Sequence, residues 1–171
     1  MRGRRAAPHA SPLSLAAGAR IFTAVASERT RAGVTAGVVA AAATGGALVA
    51  LAWRAGDAWR PFVEIGRATL GSLALGGTAP VTAALLGVGL HVAVSILWGL
   101  LLAGVAPRAR GPGVLAASAL VAVAAALVHS TVLPAFRLGF GLGVFPLHGA
   151  PLVFLYALFA LALAVGMRLA R

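Results

Sequence analysis

Four long apolar runs govern what this chain can fold into: Gly33 to Trp53, Thr82 to Ala106, Gly113 to Leu133 and Pro151 to Met167. None holds an acidic residue or an arginine. A helix rising about 1.5 Å per residue needs roughly 20 apolar residues to cross a hydrocarbon core about 30 Å thick. Each run is about that long. They predict an all-α membrane protein, with four transmembrane helices packed as a compact bundle. The spans fall at about 33–53, 82–106, 113–133 and 151–167, within one membrane domain over 32–171. A soluble domain fails on composition, since 61% of the 171 residues are hydrophobic and 10% charged. That leaves too little polar surface to meet water. The bilayer is therefore the first expected partner.

The chain carries 14 basic residues against 3 acidic ones, a formal charge of +11. Every basic residue is an arginine. Nucleic-acid binding is one reading of such a balance. The positions argue against it, because the arginines flank the spans instead of clustering with aromatic residues. Arginines collect on the cytoplasmic side of membrane proteins. With the N-terminus inside, that side holds Arg2, Arg4, Arg5, Arg20, Arg29 and Arg31, then Arg108 and Arg110, then Arg168 and Arg171. The other side holds Arg54, Arg60, Arg67 and Arg137. The expected topology is N-in, C-in. Heavy use of alanine, glycine and arginine without lysine looks like a high-GC bacterial coding bias. The expected location is a bacterial inner membrane.

Residues 1–31 form a basic cytoplasmic segment, in which 12–27 make a weak surface helix or nothing ordered. Arg4 and Arg5 suggest a twin-arginine signal, but the next apolar stretch, Leu13 to Ala17, is too short for one. Between spans 1 and 2, Trp59, Phe62, Val63, Leu70 and Leu73 recur near helical spacing. Arg60, Glu64 and Arg67 fall on another face. This predicts a short interfacial helix capped by Asp57 and anchored by Trp53 and Trp59 in the headgroup zone. The turn Pro107 to Pro112 separates spans 2 and 3.

Lipid tails are as apolar as leucine, so close backbone approach at small residues has to hold the helices together. Span 1 offers Gly33, Gly37, Ala41 and Gly45 at i+4 spacing. Span 2 offers Gly87, His91, Ser95, Gly99 and Ala103. Span 3 offers Ser118, Ala122, Ala125 and His129. Each set lies along one helical face.

Alternating helix direction brings His91, His129 and His148 to one level near the outer side. With Ser95 they make a candidate polar or ligand pocket. Neutral imidazole is a common metal ligand, and its ordinary pKa near 6.5 makes it a proton switch. The plainer reading is that each histidine makes an interhelical hydrogen bond. No two histidines stand at i, i+4 on one helix, as many zinc motifs require. There are no cysteines for thiolate sites. No phosphate-binding loop, nucleophile elbow or placed carboxylate pair is present. We therefore expect no enzyme activity, no cofactor and no resident metal. The expected role is a non-enzymatic, pH-responsive or accessory membrane protein. Alternatives are a transporter or channel subunit formed by oligomerisation, and a metal- or haem-handling protein using these histidines. A homo-oligomer or a membrane partner protein fits either role.

His91 and Ser95 occur in His-Val-Ala-Val-Ser-Ile-Leu-Trp-Gly, followed by Pro107, Val128-His129, Pro134, His148 and Arg168. In this order and spacing, residues 90 to 168 resemble the YagU-like family of bacterial inner-membrane proteins. The resemblance implies a multispan inner-membrane protein and no particular reaction. It does not extend to span 1 or to residues 54–80.

Overall fold

Proline marks where the helices begin. It lacks a backbone N–H and has a fixed φ, which suit the first turn. A computed structural model describes the backbone of residues 12–70, 79–132 and 149–170, and the side chains of 27–69, 79–131 and 149–170. Its elements are α1 (Pro12–Arg54), α2 (Arg60–Leu70), α3 (Pro80–Val105), α4 (Pro112–Leu127) and α5 (Ala150–Leu169). Pro12, Pro80 and Pro112 open their helices, and Pro61 and Pro151 stand second in theirs. A wider π-helical turn, Val128–Val132, prolongs α4. No strand occurs among the described residues.

Four helical stretches are long and apolar enough to cross a membrane: Ser27–Arg54, Pro80–Val105, Pro112–Thr131 and Ala150–Leu169. Leu85, Leu97, Leu120, Val123, Phe154 and Leu161 are exposed on their outer faces. So much exposed apolar surface on every helix is untenable in water and expected in lipid. The protein is an all-helical integral membrane protein by this pattern.

Two local features differ from the sequence reading. Residues 12–27, expected as a weak surface helix or as nothing ordered, are the start of α1, which runs unbroken from Pro12 through span 1. Alanine and arginine are good helix formers, so polar residues end the apolar span without ending the helix. Asp57 does not cap α2 either. Its Oδ1 accepts the Trp59 N–H at 3.1 Å, a side-chain turn, and the Trp59 carbonyl accepts from Phe62 and Val63 to start the helix.

Helix α1 is the central element, packing on α3 along one face and on α5 along another. On the α3 side the backbones nearly touch. A Cβ at Gly33 would lie 2.7 Å from the Leu100 Cα, and one at Gly37 would lie 2.6 Å from the Ser95 carbonyl oxygen. A Cβ at Gly99 would lie 2.6 Å from the Gly37 nitrogen and would collide with the Gly33 carbonyl. On the other side, a Cβ at Gly166 of α5 would lie 2.5 Å from the Ala36 Cα. α5 also packs on α4, whose buried face includes Ser118, Ala122 and Ala125. Helices α3 and α4 share few contacts although a short turn joins them. In that turn Gly111 has φ 52°, a conformation costly for residues with a Cβ. The core centres on Ala36, Ala40, Leu102, Val121, Phe159 and Leu163.

Helix α2 does not lie across the ends of the spans. A Cβ at Gly87 of α3 would strike the Phe62 carbonyl, and one at Gly66 would strike the Ala83 carbonyl. Contacts that advance one turn along α2 while receding one turn along α3 define two antiparallel helices. α2 therefore runs back along the start of α3.

Candidate functional site

His91 lies between α1, α2 and α3, half-buried. Its Nε2 is 3.1 Å from Thr44 Oγ1 and 3.3 Å from the Ala41 carbonyl oxygen. The Thr44 hydroxyl donates its one proton to the Ala40 carbonyl at 2.7 Å. It can therefore only accept from His91, and a carbonyl can only accept as well. Both contacts require a proton on Nε2, which fixes the tautomer of the neutral ring and leaves the lone pair on Nδ1. The ring lies beside Gly45 of α1, where an added Cβ would sit at 3.6 Å from its Cδ2 and Nε2, ordinary contact distance. The Phe62 ring meets the imidazole edge-on, with centroids 5.7 Å apart. Beside these groups a lateral groove of about 340 Å³ is lined by Val38, Gly45, Val49, Trp59, Phe62 and His91.

His129 has a different partner. It sits in the π-helical turn of α4, and its Nδ1 is 2.8 Å from the Tyr156 hydroxyl of α5. Next to it, Ser130 donates to the Ala126 carbonyl at 2.8 Å and Thr131 to the Leu127 carbonyl at 2.5 Å. Hydroxyls that bond to preceding carbonyls compete with the helical ladder. This competition accounts for the wider turn at the position where His129 leans towards α5.

The two histidines share a level. Ala36 faces Gly166 where α1 and α5 cross. From there Thr44 is eight residues along α1 and Tyr156 ten residues back along α5, towards the same end. At 1.5 Å per residue these are about 12 Å and 15 Å, so the levels differ by about 3 Å. The histidines are nonetheless held by separate helix pairs, α1–α3 and α4–α5. Ser95, one turn from His91, is buried with its backbone against Gly37. His148 lies outside the described residues. Among the described residues no three histidine, aspartate or glutamate side chains gather as metal ligands would.

Of the glycines expected at helix contacts, Gly33, Gly37 and Gly99 lie where α1 meets α3. Gly45 meets His91 and Phe62, and Gly87 meets α2 rather than a spanning helix. Sequence reasoning passed over Thr44, Gly66, Tyr156 and Gly166, and gave Phe62 only a place on the apolar face of α2. For Tyr156 a signal existed: it is the chain's one tyrosine, and a phenol in mid-span needs a partner.

The charged groups near this end are Arg54 at the end of α1, Asp57 in the turn that follows, and Arg60, Glu64 and Arg67 of α2. Arg60 Nε lies 2.9 Å from Glu64 Oε1, while Glu64 Oε2 is buried without a hydrogen-bond partner.

No protein-family model, curated protein or solved structure matches this chain.

Proposed function

We propose that this chain is a non-enzymatic multi-pass protein of a bacterial inner membrane that responds to acidity through His91. Both termini lie in the cytoplasm, and the end carrying Trp53 and the two histidine–hydroxyl pairs faces outward. The arginine distribution supports this orientation. The exposure of Trp53, at the end of α1, suits the aromatic belt of the outer headgroup zone. The resemblance of residues 90 to 168 to the YagU-like family points to the same multispan class.

The observation that carries the proposal is the Nε2–H of His91, shared between Thr44 and the Ala41 carbonyl beside an open groove. The free position of the neutral ring is Nδ1, so an arriving proton adds there and charges a ring packed against Phe62. Elements α1 and α2 meet this ring with Thr44 and Phe62, and Trp59 lines the same groove. A charge gained in apolar surroundings changes the packing of α2 on α1 and α3.

Trp59 lines the same groove and reports on it. In a variant keeping only this tryptophan (Trp53→Phe, Trp98→Phe), emission should change as the pH is lowered from neutral. Adding His91→Gln should abolish the transition. Flat emission, or the same titration without His91, refutes the proposal.

A further inference from the structure

We infer that the end of the bundle opposite α2 holds the phosphodiester headgroup of an anionic phospholipid between α1, α5 and the α3–α4 turn. Two hydrogen bonds assemble this end. Arg31 of α1 donates to the Ala170 carbonyl after α5 at 3.2 Å, and Arg168 of α5 donates to the Gly111 carbonyl at 3.4 Å. The second brings the Arg168 guanidinium to the turn that carries Arg108 and Arg110, both exposed, and the first ties Arg31 to the residue that follows α5.

Each guanidinium has five N–H donors in a planar fork, and one carbonyl leaves most of them available. That fork matches two oxygens of a phosphate. Helix α4 starts beside it with no acid in its first turn and no side-chain cap, so its N-terminal partial charge adds to the positive field. Of the chain's three acids, Asp57 and Glu64 lie at the other end and only Glu28 lies here. At the other end Arg60 is paired with Glu64, which makes that end a poorer anion site.

A lipid fits better than free phosphate because apolar surface adjoins the charge. Leu101, Val105 and Leu169 are exposed where these helices end. An acyl chain lying on them keeps its headgroup level with Arg108, Arg110 and Arg168. Basic pockets between spanning helices bind anionic headgroups in this way.

The test uses the full chain in vesicles with spin-labelled phosphatidylglycerol or phosphatidylcholine. The quantity read is the relative association of the two lipids with the protein. Wild type should prefer phosphatidylglycerol. The variant Arg108→Gln/Arg110→Gln should lower that preference about fivefold or more, while Arg54→Gln/Arg67→Gln should leave it unchanged. The wild-type preference should also weaken as salt rises from about 0.05 M to about 0.5 M, because headgroup attraction is screened. This arm stands even if a variant fails to fold. No lipid preference, a preference indifferent to salt, or equal loss from either pair of substitutions overturns the inference. So does inorganic phosphate that abolishes the preference at an ionic strength where chloride does not.

Discussion

Gly99→Ala adds one methyl group where α1 and α3 come closest. The new Cβ would lie 2.6 Å from the Gly37 nitrogen, whereas ordinary contact begins at 3.4 Å. Three backbone atoms of α1 surround it, so no side chain can swing aside. The helices must part by about 0.8 Å to clear the nitrogen alone and further to clear the Gly33 carbonyl, and a gap of that size already forfeits roughly a quarter to a half of each dispersion contact across the seam. Overpacking of this kind costs about 1–3 kcal/mol, and a clash with backbone belongs at the upper end. We expect about 2–3 kcal/mol by that reasoning, and more for Gly99→Leu. The controls are Gly46→Ala and Gly89→Ala, whose new Cβ atoms would meet no heavy atom within 4 Å. They should stay within about 0.5 kcal/mol of wild type. Reversible unfolding by sodium dodecyl sulfate in mild detergent, followed by circular dichroism, measures all three. If Gly99→Ala unfolds with the controls, the seam between α1 and α3 is not where the stability lies.

Thr44→Val keeps the shape of the side chain but removes the acceptor for His91 Nε2–H. It should cost about 0.6 kcal/mol in the same unfolding assay, the usual worth of an interhelical hydrogen bond, and no loss would mean the bond is idle. Gly66→Ala should detach α2 from α3 because its Cβ would strike the Ala83 carbonyl. Quenching of Trp59 by acrylamide should rise while the helical signal of the spans persists; unchanged quenching would show that α2 is held elsewhere. A C-terminal fusion to a reporter active only in the periplasm should be silent, and activity there would reverse the orientation.

The spans were legible because length and the absence of charge define them without reference to any neighbour. The sequence reading began the last span at Pro151, and the structure begins α5 at Ala150. The course of α2 was hidden for the opposite reason. It depends on Gly66, which inside a helical pattern reads as a weak point, and on Gly87, which the sequence marks as a contact without saying which helix it meets. The common level of His91 and His129 could be read from helix direction alone. Their separate partners could not, because a helix that is apolar all round carries no periodic signal of which face meets which neighbour.

That division follows from the solvent. In lipid a leucine gains little by turning inward, so the large side chains of α3, α4 and α5 can face outward, as Leu97, Leu120 and Leu161 do. Specific packing then falls to positions with almost no side chain, and α1 has them on two faces. Gly33 and Gly37 seat α3, and Ala36 seats α5 through Gly166. Both histidine pairs lead back to this helix. His91 bonds to it through Thr44 and Ala41, and His129 reaches it one helix removed, through Tyr156 of α5. A change at either imidazole therefore has α1 as its common recipient. The backbone seams along α1 leave that helix little room to shift on one side without also moving the other.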